Sequence, residues 1–361
     1  MNPIKATLAQ GQSIWLDYLR RNLITSGELK NLVAEGIRGL TSNPSIFQKA
    51  IGENNDYDNT VQSILNKEPD IDLQSLYERL AIEDIQMATD VLRPVYDESN
   101  GADGYVSLEA SPYLAYDTSA TIAEVRRLWR AVNRPNLMVK VPGTKEGIPA
   151  IETLLAEGIN INVTLLFSTT HYEAVAHAYI RGMERSPKPQ KVASVASFFV
   201  SRIDTMVDKA LEKLNTPEAL SLRGKIAIAS SKMVYQHFKE VFYGEPFAAL
   251  RKRGARLQRP LWGSTSTKNP AYSDVLYVEE LIAPDTVNTI PMETLNAFRD
   301  HGRVRSTLTE HIGEAEKALT KLKELGIDLN AVTEQLQKDG VAAFAKSFDQ
   351  LLGALKSYKQ K

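Results

Sequence analysis

About eight short apolar runs, at 13–19, 40–42, 105–110, 137–141, 161–167, 192–199, 260–264 and 286–290, are separated by segments with the spacing of amphipathic helices. This alternation constrains the fold more than any other feature. Tight hairpins join only antiparallel strands, whereas parallel neighbours need a crossover of about a dozen residues, usually a helix. Strand and helix in strict alternation therefore imply a parallel sheet. Eight such units within 361 residues predict an α/β fold, a (β/α)8 TIM barrel with additional helices.

Local signals suggest where the helices start and stop. Thr25-Ser26-Gly27-Glu28 has the spacing of a capping box for a helix ending near Glu35, with Gly36 as its stop. Asn43-Pro44 reads as an N-cap followed by proline at the first helical position. Thr121 with Glu124, and Thr170 with Glu173, offer two further capping boxes. Long amphipathic helices are expected at 71–92 and 222–242, a surface turn at 185–189, and a solvated basic loop at 251–259. Two more helices, near 309–325 and 331–358, form a C-terminal extension. The domain division is then a catalytic barrel over 1–302 and a helical extension over 303–361, packed on the barrel or on a partner.

Composition removes several functions. Net charge is −1, which gives no global field to recruit nucleic acid or anionic lipid, and the basic 251–259 stretch contains no aromatic residue. Cysteine is absent, so disulfides, thiolate metal sites and cysteine nucleophiles are excluded together. The five histidines lack metal-ligand spacing, and neither a P-loop nor a dinucleotide fingerprint occurs. No metal and no cofactor is expected. With no apolar run long enough to span a bilayer and no leader-like h-region, the expectation is a soluble cytoplasmic protein that touches no membrane.

Lys140 breaks an otherwise apolar strand, Leu137-Met138-Val139-Lys140-Val141. A strand covered on both faces should carry no charge. Desolvation favours the uncharged amine, the form that attacks carbonyl carbon, so Schiff-base chemistry follows as a first idea; a lysine reaching solvent by its stem is the plain alternative. Alternation on the other strands sharpens the choice. Residues two apart share a face, pairing Trp15 with Asp17, Ser107 with Glu109, Met138 with Lys140, Asn162 with Thr164 and Ser197 with Phe199, while Leu16, Val106, Leu108, Val139, Val141, Val163 and Leu165 between them are apolar. One face thus carries polar groups toward the strands' carboxyl ends, where barrels of this class place their active sites. Taken singly, Asp17 and Asn43 could be helix caps, Glu109 an ion-pair partner, Asn162 a backbone ligand and Arg202 a surface charge. Taken together they favour a site.

Four ordered segments resemble the transaldolase family: Gly39-Leu40-Thr41-Ser42-Asn43-Pro44-Ser45-Ile46-Phe47, Met138-Val139-Lys140-Val141-Pro142, Ile161-Asn162-Val163-Thr164-Leu165-Leu166-Phe167-Ser168 and Ser197-Phe198-Phe199-Val200-Ser201-Arg202-Ile203-Asp204. The chain looks most like the longer bacterial subfamily of actinobacteria and cyanobacteria. The resemblance implies a barrel of the class I aldolase type that transfers a dihydroxyacetone unit between sugar phosphates, in the non-oxidative pentose phosphate pathway, without metal or cofactor. It implies Lys140 as the Schiff-base residue, Asp17 as general acid/base, Glu109 acting through a water, and Asn43, Asn162 and Thr164 as orienting groups. Ser197 would contact the donor and Arg202 the phosphate. Where shorter relatives carry a second arginine after the seventh strand, this chain has Lys268, as a replacement cation or as a solvated loop lysine. The nearest rival is a fructose-6-phosphate aldolase-like lyase, whose members tend to have tyrosine at Phe199 and glutamine at Glu109. The expected partners are sugar phosphates, and the expected state a monomer or homodimer.

Overall fold

The computed structural model describes residues 2–359. Eight parallel strands close into a barrel in chain order, the predicted architecture. They are β1 (Gln12–Leu16), β2 (Gly39–Thr41), β3 (Tyr105–Glu109), β4 (Leu137–Pro142), β5 (Ile161–Leu166), β6 (Ser194–Phe199), β7 (Arg259–Gly263) and β8 (Thr286–Ile290). β8 pairs back onto β1 from Gln12 opposite Thr286 to Leu16 opposite Ile290. β1 stops at Leu16, three residues short of the expected end. Asp17 prolongs it only by donating its N–H to Ile290 O at 2.8 Å.

The amino-terminal half of the barrel is filled by Trp15, Tyr105, Met138, Val195, Leu261 and Val287. Gly39 makes this possible, because a Cβ there would lie 2.4 Å from the Trp15 ring. The intervening strand residues Leu16, Val106, Leu108, Val139, Val141 and Val163 point outward into the main core under the helices. Inside and outside thus follow the period-2 reading, and the polar groups that line an open cavity lie in the carboxyl half of the interior.

Three capping assignments are corrected. Thr25 ends the helix Arg21–Thr25, its Oγ1 donating to Arg21 O, and the helix Glu28–Glu35 begins after Gly27, which holds φ 84°. Asp117, not Thr121, caps Thr118–Val132 by accepting from Ala120 N at 2.9 Å. Ser168, not Thr170, caps Thr169–Arg185 through His171 N. In the last two runs several residues have cap chemistry, and only the one left in an extended backbone uses it, while the first helix starts at Gly27 with no side-chain cap. Asn43 does cap the helix Pro44–Gly52.

The basic stretch 251–259 is a solvated loop only in part, exposed over 251–254 and without helix or strand over 253–258. It starts inside the helix Ala248–Lys252 and ends in β7. Arg253 donates to Ser186 O at 2.7 Å, and Arg259 pairs with the buried Asp103 at 2.9 Å. These guanidiniums satisfy carbonyl and carboxylate groups at the barrel's amino end, which a charge count alone does not reveal.

Past the barrel, the helix Ile312–Glu324 packs along Ile226–Phe242. The terminal helix, Leu329–Lys359, runs back over the barrel. Gln337 Nε2 donates to Gly143 O (3.1 Å) and Leu165 O (3.0 Å), and Ser347 shares a hydroxyl bond of 2.7 Å with Ser45. Leu165, beside a register shift in β5, is held at φ 61° and lies against Gly340 of this helix. Among the described residues no helix is long and apolar enough to cross a membrane.

Candidate active site

A cavity of about 890 Å³ opens at the carboxyl ends of the strands. Asp17, Asn43, Lys140, Thr164, Ser197, Phe199, Arg202 and Lys268 all line it. Glu109 and Asn162, the other two sequence candidates, lie behind this wall, both buried.

The strand register brings these groups together. Glu109 on β3 is opposite Lys140 on β4, and Lys140 is opposite Asn162 on β5. Three polar residues on adjacent strands thus sit at one level of the barrel interior. Lys140 Nζ donates to Ser42 O at 3.2 Å and stands 3.1 Å from Glu109 Oε2, with both side chains almost wholly buried. The approach suits an ion pair, but its angle does not make a hydrogen bond, and Glu109 Oε1 has no protein partner among the described residues. Burial pushes the Glu109 carboxyl up from its ordinary value, against the opposing pull of the Lys140 charge. A carboxyl whose protonated form burial favours, set this near an amine, is placed to pass a proton.

Asp17 follows β1 and lines the same cavity. Burial raises its pKa; Lys140, the hydrogen bond from Thr41, Arg202 and Lys268 pull the other way. Thr41 Oγ1 donates to Asp17 Oδ1 at 2.7 Å and is itself 2.7 Å from Thr289 Oγ1. With its proton committed to Asp17, Thr41 accepts from Thr289, so a short relay of hydroxyls orients the carboxylate. Asn162 is fixed from both sides: its Nδ2 donates to Ser107 Oγ at 2.9 Å and its Oδ1 accepts from Ser197 Oγ at 2.6 Å. Thr164, fully buried, has an Oγ1 without a protein partner among the described residues. Asn43 has both of its suggested roles, accepting from Ile46 N at 2.9 Å as a cap while facing the cavity.

Arg202 sits in the first turn of the helix Ser201–Leu214. Its guanidinium lies 5.3 Å from the Phe199 ring and 6.0 Å from the Phe344 ring. Burial lowers its pKa, and Glu109 and Asp17 act against that. Lys268 is exposed at the rim and donates to Ser266 Oγ at 2.7 Å.

Some wall residues escaped the sequence reading. Thr41 and Thr289 carry the right alternation on β2 and β8 and could have been found by it. Phe344 could not, because its place depends on how the terminal helix docks. Among the described residues no three histidine, aspartate or glutamate side chains converge as a metal site; His171 instead bonds Glu334 at 2.8 Å.

Comparison with known proteins places this geometry in a family. Residues 14–355 match the family described as Transaldolase/Fructose-6-phosphate aldolase. A protein called transaldolase from Thiobacillus denitrificans is 48% identical over 98% of this chain and 100% of its own length. One from Mycobacterium marinum is 46% identical over 98% and 96% of the two chains. A "Transaldolase 2" from Nostoc is 46% identical over 96% and 94%. The actinobacterial and cyanobacterial likeness seen in the sequence is thereby supported. With agreement of this extent over nearly the whole barrel and the terminal helix, the chain belongs to the transaldolase/fructose-6-phosphate aldolase family.

Proposed function

We propose that this chain is a transaldolase that moves a dihydroxyacetone unit from a ketose phosphate to an aldose phosphate through a Schiff base on Lys140. The observation carrying the reading is the Lys140 amine, buried 3.1 Å from Glu109 and opening into the cavity that also holds Asp17 and Arg202.

The Lys140 amine adds to the C2 carbonyl of sedoheptulose 7-phosphate or fructose 6-phosphate. Glu109, whose pKa burial raises, serves as the acid: by way of a water it gives a proton to the carbinolamine hydroxyl, which leaves as water. Asp17 then takes the proton from the C4 hydroxyl. The C3–C4 bond breaks, its electrons reach the iminium nitrogen, and the shortened aldose departs while the three-carbon unit stays as an enamine on Lys140. The enamine C3 attacks the aldehyde of glyceraldehyde 3-phosphate or erythrose 4-phosphate, whose oxygen recovers the proton from Asp17. Water releases the new ketose. Asn43, Asn162, Thr164 and Ser197 orient hydroxyls and water, Phe199 shapes the wall, and Arg202 binds the phosphate with Lys268 as a weaker second cation.

Release of free dihydroxyacetone, the lyase alternative, is not favoured: the full-length relatives compared are called transaldolases. We further propose that the barrel over 1–302 and the extension over 303–361 act as one catalytic unit. It would work in the cytoplasm, without metal or cofactor, as a monomer or homodimer. The test is borohydride trapping. After incubation with fructose 6-phosphate and reduction, the peptide holding Lys140 should gain a three-carbon adduct, and wild-type protein should transfer that unit to erythrose 4-phosphate. An unlabelled Lys140 defeats the reading.

A further inference from the structure

Arg202 is the most enclosed cation of the cavity apart from Lys140, yet no carboxylate holds it: among the described residues it makes no side-chain hydrogen bond or ion pair. Two aromatic rings take that place. Phe199, 8% exposed, comes from β6, and Phe344, 4% exposed, comes from the terminal helix. Phe344 is the terminal helix's contribution to the cavity wall, and its ring centroid lies 5.9 Å from Lys140 Nζ and 6.0 Å from Arg202 Cζ. Both distances fall within the reach of a cation–π attraction, about 6 Å.

The difference between holding an arginine with a carboxylate and with rings is chemical. A carboxylate would occupy two of the five N–H donors and cancel the charge an anion must meet. A ring face attracts the cation, restricts the guanidinium and excludes water, but occupies none of the donors. The helix bearing Phe344 is tied to the barrel by Gln337, Gly340 and Ser347 as described above, so the ring is fixed relative to Arg202.

Building on the proposed function, we infer that Phe344 is a positioning residue for phosphate recognition: through Arg202 it makes the terminal helix a determinant of preference for phosphorylated sugars. The ring stands as near Lys140 Nζ as Arg202 Cζ, but the role inferred here runs through Arg202 and the anion, so it is read in phosphate affinity and KM.

The test uses the full chain with Phe344→Leu, Phe344→Met and Phe344→Tyr. Leucine and methionine keep apolar bulk under the helix and remove the ring, while tyrosine keeps the ring. Inorganic phosphate affinity is measured by calorimetry and as competitive inhibition, beside KM and kcat for fructose 6-phosphate. A cation–π contact of ordinary size corresponds to about a 3- to 10-fold weakening. The Leu and Met variants should show that rise in both the phosphate constant and KM, with kcat within about threefold, and Tyr should restore wild-type values. Unchanged phosphate affinity in Leu or Met overturns the inference, as does a fall in kcat with KM and phosphate affinity intact. Calorimetry does not require turnover. A wild-type protein that binds phosphate but gives no trapped adduct would therefore sink the proposed reaction while still reporting on Phe344.

Discussion

Lys140 Nζ and Glu109 Oε2 face each other at 3.1 Å across neighbouring strands, with 5% and 4% of their side chains exposed. Buried pairs of this kind are weak sources of stability, because desolvation offsets their attraction, but losing one partner leaves the other stranded. The stranded carboxyl has an escape here, since burial already favours its protonated form. Lys140→Ala should therefore fold, lose adduct formation, and lose about 10⁴-fold or more in turnover. It removes the charge that pulls the Glu109 pKa down, so that pKa rises further. A folded-state carboxyl pKa above the unfolded one favours folding below the unfolded value, an advantage lost as pH climbs through the folded value. The melting-temperature deficit of Lys140→Ala against wild type should thus widen from pH 5 to pH 8. A constant deficit would mean that Glu109 does not feel Lys140.

Asp17 must be ionised to accept a proton, and burial raises its pKa, so the acidic limb of kcat/KM should lie above the ordinary aspartate range. Thr41 opposes that shift through its 2.7 Å bond. Thr41→Val keeps the shape and deletes the donor. A hydrogen bond to a charged group is worth about 1.5 kcal/mol, which corresponds to about one pH unit. The acidic limb should move upward by roughly that amount with its plateau preserved. An unmoved limb would show that another group controls it.

How much of this site was legible depended on which physical rule each residue obeys. Lys140, Asn162 and Thr164 were found by strand alternation, which survives folding because the barrel's register preserves it. Their depth was not legible: Glu109 and Asn162 face the interior yet stand behind the cavity wall, a matter of the barrel's stagger. Phe344 belongs to a helix whose apolar face could have met several surfaces. The contacts that fix it, Gln337 on two strand-end carbonyls and Gly340 on Leu165, join residues more than 170 positions apart. The basic stretch misled for the converse reason, since its partner Asp103 is 156 residues away from Arg259.

The two phosphate candidates should differ sharply. Arg202 is largely enclosed and presents a planar fork, whereas Lys268 is exposed and already bonded to Ser266. Arg202→Ala should raise KM for fructose 6-phosphate by about 100-fold, since removing one partner of a desolvated charge pair costs about 2–5 kcal/mol. Arg202→Lys should recover only part of this, because a point charge does not replace the bidentate fork. Lys268→Ala should raise KM less than about fivefold, the scale of an exposed ion pair. Steady-state kinetics on the three variants decides the ranking, and a larger effect at Lys268 would move the phosphate to the rim.

Two glycines of the terminal helix should respond oppositely to alanine. At Gly353 a Cβ meets nothing within 4 Å, so alanine brings only its better helix propensity, about 1 kcal/mol. At Gly340 the Cβ would stand 2.8 Å from Leu165 Cδ2. Leu165 is fully buried at a positive φ and has little room to yield. Overpacking of this kind costs about 1–3 kcal/mol and outweighs the propensity gain. Gly353→Ala should raise the melting temperature; Gly340→Ala should lower it and also raise KM, as Phe344 shifts with the helix. Equal responses would show that the helix is not seated on Leu165.

The helix presenting Arg202 carries two buried acids, Asp204 and Asp208, and the first gives the fold a pH dependence separate from catalysis. Asp204 accepts from Ala227 N at 2.7 Å and from Tyr277 Oη at 2.8 Å. Burial nevertheless pushes its pKa up from 3.8 to about 7. The protonated form is thus the one the fold prefers. Its contribution is complete below the unfolded value near 3.8 and is lost as pH rises through about 7. Asp204→Asn keeps the size and an acceptor but cannot ionise. Its cost at pH 4, one imperfect hydrogen bond of about 1 kcal/mol, should shrink and reverse by pH 8. Thermal melts of wild type and variant from pH 4 to 8 measure the difference directly. If the two curves run parallel across that range, Asp204 is not the group that titrates with unfolding.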